Sequence, residues 1–263
     1  MELGLRGKRA FISGSSQGIG YAVASALAAE GVDVVINGRD EGRVDAAVGV
    51  LALAHPEVTV SGMAADFTDP SQVARLTERL GDVDILVNNV GLFGLADFAD
   101  VADADWARYF EVNVMSGVRL SRALLPGMRE RGWGRIVFVS SESGVNVPAD
   151  MVHYGVTKAA MIALGNGLAK LTRGTGVTVN TVLGGPTYSE GVAASVAAVA
   201  EARSVSEEVM KEAIIGQNTT SLLGRFLDPA EVADLVVYLS GVRASATNGA
   251  ALRADGGVLT AML

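Results

Sequence analysis

Short runs rich in β-branched residues recur along the chain with helix-length spacers between them, and this alternation limits the fold more than any other feature. RAFIS (9–13), DVVIN (33–37), VTVSGM (58–63), DILVN (84–88), RIVFVS (135–140), VTVNTVL (177–183) and AALRA (250–254) each have the length of a strand. GYAVASALAAE, WARYFEVNVMSGVRLSRALLPGMRE and KAAMIALGNGLAKLTR lie between them, with apolar residues three and four apart, the period of a helix face. Strand and helix in turn read as parallel crossovers. The strand runs are apolar almost throughout, which fits a sheet covered by helices on both sides. The expectation is an α/β chain forming one doubly wound parallel sheet over residues 1–263, with no internal repeat or linker. Residues 188–227 break the alternation: a long, mainly helical insertion follows the sixth strand, in the position of a lid over a ligand or of a hairpin that only packs.

Bulk numbers narrow the function. Charged residues make up only 19% of the chain and apolar ones 49%, a globular composition. A formal charge of −8 disfavours nucleic acid. With no cysteine and two isolated histidines, thiolate chemistry is excluded and no metal site is expected. The N-terminus lacks an apolar core followed by a cleavage site, and GVAASVAAVA (191–200) is too short to span a bilayer, so a cytoplasmic, non-membrane protein is expected.

The first strand runs into SGSSQGIGYAVASALA. Gly14, Gly18 and Gly20 stand where the chain turns into a helix, and bare backbone there lets N–H groups approach a pyrophosphate at the positive helix end. Glycines also mark any tight strand-to-helix turn. After the fourth strand comes LVNNVGLFG. If the first and fourth strands are neighbours where the winding reverses, Asn88, Asn89 and Gly91 flank the ligand crevice of such a sheet; otherwise they are an ordinary Asn-rich turn. The second strand ends in INGRDEGR. Gly38 stands where an acid would accept from the adenosine ribose, and Arg39 follows, which favours a 2′-phosphate; a solvated loop arginine is the alternative. Asp66 can accept from an adenine amino group or can act as a helix N-terminal acid.

HYGVTKAA (153–160) places Tyr154 four residues before Lys158, on one helix face, with Ser141 thirteen residues upstream. Taken together, SGSSQGIG, NNVG, the Asn of EVNVMSG, VSSESG, YGVTK, GGPTYSEG and LRADGG follow the order and approximate spacing of the short-chain dehydrogenase/reductase family, which the chain resembles over nearly its whole length. The resemblance extends to members of the 3-oxoacyl-carrier-protein reductase kind. It implies a Rossmann-like fold, a homotetramer, and catalytic residues Asn113, Ser141, Tyr154 and Lys158, with the Asn113 backbone holding a water that links Lys158 to solvent. It also implies cofactor contacts at Gly14, Ser15, Ser16, Gly18, Ile19, Gly20, Arg39, Asp66, Phe67, Asn89, Val90, Gly91, Tyr154, Lys158, Gly185, Pro186 and Thr187. NADP(H) is expected over NAD(H), although the glycine loop carries Gln17 where many NADP-using relatives have a basic residue. Val90 replaces the usual Ala, and Gly184 replaces a usual Pro, which is expected to loosen the backbone leading to Thr187.

Ketone reduction needs a proton on the developing alkoxide, and a free tyrosine, near pH 10, is about three units too weak, or roughly 4 kcal/mol. A lysine cation about 5 Å away supplies on the order of 3 kcal/mol. Tyr154 is therefore expected as acid in reduction and base in oxidation, with Lys158 lowering its pKa and Ser141 orienting the substrate oxygen. An insertion of small apolar residues suits a hydrophobic ketone or 3-oxoacyl chain. Arg122, Arg129, Arg131 and Arg173 offer a basic patch to an acidic carrier protein, or are ordinary solvated arginines. An NADP-sensing protein without turnover is the rival reading.

Overall fold

Seven strands pair in parallel in the order β3-β2-β1-β4-β5-β6-β7. They are β1 (Arg9–Ile12), β2 (Asp33–Gly38), β3 (Val60–Ala64), β4 (Ile85–Asn88), β5 (Trp133–Ser141), β6 (Gly176–Gly184) and β7 (Ala251–Ala254). The computed structural model describes residues 2–262; Met1 and Leu263 lie outside it. The doubly wound sheet expected from the alternation is present. β1 pairs with both β2 and β4, so the winding reverses between β1 and β4. β3 begins later than its apolar run because the Thr59 N–H goes to the Asp33 carboxylate at 2.7 Å. Likewise, the Ala250 N–H goes to the Asn180 side chain, and β7 starts one residue further on.

Helices α1 (Gly18–Ala29), α2 (Glu41–Ala54) and α9 (Pro229–Ser240) cover one face, and α3 (Pro70–Leu80), α5 (Ser116–Glu130) and α6 (Val152–Lys170) the other. β1 displays the period of two: Ala10 and Ile12 enter the first core, with Val23, Leu27, Val232 and Val236, while Phe11 enters the second, with Leu86, Phe138 and Leu120. Each such fully buried large side chain contributes about 1.5–3 kcal/mol.

The apolar pattern from 104 to 130 reads as one helix, but the structure divides it. α4 (Asp103–Phe110) passes through a π-helical turn, Glu111–Met115, before α5 begins. The wide turn holds Asn113, 1% exposed, and an Arg119–Glu111 ion pair at 2.5 Å spans it.

The insertion is helical as expected: α7 (Glu190–Arg203) and α8 (Glu207–Gln217). Ser189 and Ser206 cap them by accepting from Val192 and Val209 N–H. A bridge between Thr187 and Leu227 closes its base, with the Leu227 N–H on Pro186 O at 2.8 Å and the Tyr188 N–H on Leu227 O at 2.9 Å. Val196, Ala200 and Met210 form a small core of their own against Tyr188 and Val192. Among the described residues no helix is long and apolar enough to cross a membrane.

Candidate active site

The loops after β1 and β4 meet at the winding reversal. Asn89 binds them together: its Nδ2 donates to Ser13 O at 3.0 Å and Gly14 O at 2.8 Å, while Ser13 Oγ accepts from the Asn89 and Val90 N–H groups. A Cβ on Gly20 would lie 2.4 Å from Gly14 O and 2.5 Å from Asn89 Nδ2, so only glycine permits this approach. Gly14 and Gly18 each sit at φ +63°, and Val90 packs directly on Gly14. Gln17 begins α1 without a side-chain cap, and of the first-turn backbone donors the Gly18 N–H is taken by the Glu190 carboxylate at 2.7 Å. A carboxylate on this donor shows that the turn accepts an anion, as a pyrophosphate requires.

Not every residue implied by the resemblance faces the crevice. Ser15 is fully buried: its N–H goes to Asn37 O, and its hydroxyl bridges Ile12 O and the Asn37 N–H, so its donors are spent on joining β1 to β2. The Phe67 ring is 3% exposed within the second core. Gly185 has a packing reason of its own, since a Cβ there would meet Asp255 O at 2.5 Å. Gly184, expected to loosen the chain, is an in-register strand residue between Ser141 and Ala254. Thr187, buried beyond it, donates to Gly185 O at 2.9 Å.

At the end of β2, Ser16 Oγ lies 2.9 Å from where a Gly38 Cβ would stand, so a hydroxyl fills the place of an acidic side chain. Exposed Arg39 lines a cleft of about 580 Å³ with Asp66, Thr68 and Arg108. Asp66 is not a helix cap. Asp69 caps α3, and Asp66 accepts from the Thr68 N–H and hydroxyl, both at 2.8 Å.

Ser141 ends β5, and Tyr154 and Lys158 lie in the first two turns of α6, on one face as the spacing requires. Lys158 Nζ is 5.5 Å from the Tyr154 ring centroid and donates to Val139 O at 3.0 Å. A Cβ on Gly91 would lie 3.5 Å from both Lys158 Nζ and Asn113 Oδ1, which places the β4 loop against the lysine. Asn113 joins the three elements: its Oδ1 accepts from the Leu92 N–H at 2.7 Å, and its Nδ2 donates to Leu92 O and Thr157 Oγ1. All four predicted catalytic residues thus converge at the carboxyl end of the sheet, beside the crevice.

Residues 8–200 match the sequence profile of the short chain dehydrogenases. The chain belongs to the short-chain dehydrogenase family. It is 43% identical over 266 residues to the uncharacterized oxidoreductase YvrD of Bacillus subtilis (strain 168), covering 100% of both chains. It is 31% identical over 265 residues to the 3-oxoacyl-(acyl-carrier-protein) reductase FabG of Vibrio cholerae serotype O1, covering 97% of this chain and 99% of that one. Among solved structures, L-sorbose reductase from Gluconobacter frateurii, complexed with NADPH and L-sorbose, superposes with a TM-score of 0.94 at 32% identity over 100% of both chains. As a short-chain dehydrogenase, the protein is an oxidoreductase acting on CH–OH and C=O groups.

The electrostatics differ from the expectation in one respect. Burial pushes the Tyr154 phenol well above its ordinary value; the Ser141 hydroxyl opposes this, and Glu142 and Tyr109 add to it. Burial likewise lowers Lys158 to about 8, against an opposing pull from Glu142. Desolvation is the largest cause for both groups, and the ammonium, held by Val139 O, lies over the phenol ring. The phenol is thereby kept protonated but made a weaker acid than a free tyrosine, so Lys158 alone does not supply the lowering that proton donation needs.

Two residues of this dehydrogenase site escaped the motif reading. Glu142 accepts from the Ser141 hydroxyl, and at 3.1 Å from that of Ser143. Glu190, at the start of α7, accepts from the Gly18 N–H at 2.7 Å, placing a carboxylate of the insertion on the glycine loop. Glu142 stood within the quoted VSSESG, and its position directly after Ser141 was the available signal. A contact 172 residues apart leaves none.

Proposed function

We propose that this short-chain dehydrogenase transfers hydride between NADP(H) and a ketone or secondary alcohol, with Tyr154 as the proton donor in reduction. The observation that carries the reading is the convergence of Tyr154, Lys158, Ser141 and Asn113 beside the β1–β4 crevice. The bound nicotinamide supplies hydride to the carbonyl carbon in reduction and accepts it in oxidation. Tyr154 gives its proton to the carbonyl oxygen. Lys158, held by Val139 O, turns its remaining donors toward the nicotinamide ribose and the phenol. Ser141 orients the substrate oxygen, and Asn113 fixes the β4 loop against α6 through Leu92 and Thr157.

The first turn of α1, with Gly14, Gly18, Ile19 and Gly20, receives the pyrophosphate. Asn89, Val90 and Gly91 border the adjoining ribose. Backbone at Gly185 and Pro186 leads to Thr187, which receives the carboxamide. Arg39 and Ser16 at the end of β2 receive the 2′-phosphate; support comes from Gly38 in the place of an acid, from Arg39 lining the cleft with Asp66, and from the NADPH held by L-sorbose reductase. Residues 188–227 cover the substrate. Val196, Ala200 and Met210 of that segment form a small core, while Val199, Val205, Val209, Ile214, Leu222 and Leu223 stay exposed, which supports a substrate with an apolar part.

The test is a panel of ketones and secondary alcohols assayed with both cofactors, followed by Tyr154→Phe on the best substrate. NADPH is expected to outperform NADH. The variant is expected to bind NADPH within about twofold of the parent and to lose turnover by about 10³-fold or more. Near-normal turnover in Tyr154→Phe would overturn the assignment.

A further inference from the structure

Ser141 has one proton to give, and in this structure Glu142 takes it, although the same hydroxyl also lies within reach of the Tyr154 phenol. A carboxylate can only accept, so the bond between Ser141 Oγ and Glu142 Oε2 directs the serine O–H at Glu142. The Ser141 lone pair takes the Ser143 N–H at 3.1 Å, and the Ser143 hydroxyl occupies Glu142 Oε1 at 3.1 Å. Ser141 and Ser143 are buried, while Glu142 is only half-buried and keeps a face toward the site. The Glu142 charge is felt by both Tyr154 and Lys158, which places it in the same small volume as the reacting groups. The other ionisable group facing Tyr154 is Tyr109, from α4.

For Ser141 to donate to a carbonyl oxygen, something must take its place on Glu142. A hydroxyl on the carbon next to the carbonyl can do so: the substrate O–H donates to Glu142, and the released serine proton turns to the carbonyl oxygen. Glu142 keeps its full set of donors, and the carbonyl gains one. A plain ketone draws Ser141 away and offers Glu142 no donor in return, a loss of about 10-fold in affinity for a half-buried carboxylate that water reaches in part. A substrate carboxylate in the same position would meet the Glu142 charge. We propose that Glu142 is a specificity-determining residue that selects carbonyl substrates carrying a hydroxyl on the adjacent carbon. This rests on the reductase reading above and names its substrate class.

The experiment compares 1-hydroxybutan-2-one with pentan-3-one, in which a methyl replaces the hydroxyl. Binding is measured by calorimetry on protein loaded with NADP⁺, which cannot reduce the carbonyl, with the absorbance of NADPH followed to verify that the probe's own hydroxyl is not oxidised, and turnover is measured separately with NADPH. The parent is expected to bind the hydroxyketone about 10-fold more tightly. Glu142→Leu is expected to abolish that preference and to bind pentan-3-one as well as the parent or better, because Ser141 is released. Glu142→Gln, closer in shape, is expected to reduce the preference, and Glu142→Asp to restore part of it. Equal affinities in the parent, no binding of either ketone, or parallel losses for both ketones in the variants would overturn the proposal. The expected binding preference without NADPH oxidation would remove the reductase reading and leave the Glu142 assignment standing; turnover without preference would do the reverse.

Discussion

Lys158 is a cation that this fold buries at a cost. It is 5% exposed, its amine donates to Val139 O, and burial lowers it from 10.5 to about 8. With the folded value below the unfolded one, the unfolded chain binds more protons between these limits, so the penalty is fully present below pH 8 and fades as pH rises toward 10.5. Lys158→Met, which keeps the length and removes the charge, is therefore expected to raise stability at pH 7 by about 2 kcal/mol, net of the bond lost to Val139 O. The gain should shrink between pH 8 and 10.5 while turnover is lost at every pH. Denaturant unfolding of parent and variant across that range checks this, and a pH-independent loss of stability would show that the Val139 bond outweighs the desolvation. A stabilising substitution that destroys activity is the signature of a residue kept for chemistry.

At the scale of elements, what was legible in the sequence is what periodicity encodes. All seven strands overlap their apolar runs, because side chains entering a core on each face of the sheet leave a nearly continuous apolar run that survives without coordinates. Tyr154 and Lys158 share a face because a helix fixes where residues four apart point. The π turn at Asn113 was not legible: it depends on bonds from Asn113 to Leu92 and Thr157, partners on other elements that no local pattern reports. Ser15 turning inward depends in the same way on Asn37, in the neighbouring strand.

The Glu190–Gly18 contact is the most distant of these and carries its own prediction. The carboxylate at the start of α7 occupies a backbone donor of the α1 first turn, the position where a pyrophosphate oxygen would be received. Glu190→Gln is expected to tighten NADP(H) by about 3- to 10-fold, because a neutral amide competes less well with the phosphate than a carboxylate does. Fluorescence titration with NADPH reads the change; unaltered or weaker binding would show that the two do not compete.

For the whole molecule, the sheet ends at β7, an edge strand, and beside it the small-residue face of α6 forms an open groove with Ala159, Ile162, Ala163 and Gly249. The family resemblance implies a homotetramer or homodimer, and this groove, together with the long α5 and α6 helices, is the surface we propose for a second copy. Sedimentation equilibrium is expected to give two or four times the chain mass, and Ala163→Arg a smaller species with the fold intact by circular dichroism. A parent that sediments as a single chain at all concentrations would remove both assemblies. Docking of an acidic carrier protein has less to draw on, since Arg131 is held by Asp82 at 2.5 Å and by Val83 O. The neck formed by Thr187 and Leu227 has a consequence for how such a chain can diversify. Both ends of the segment proposed to cover the substrate emerge side by side at this bridge, so a foreign segment of different length could be spliced between them without shifting a strand, making the cover an exchangeable cassette on a constant sheet.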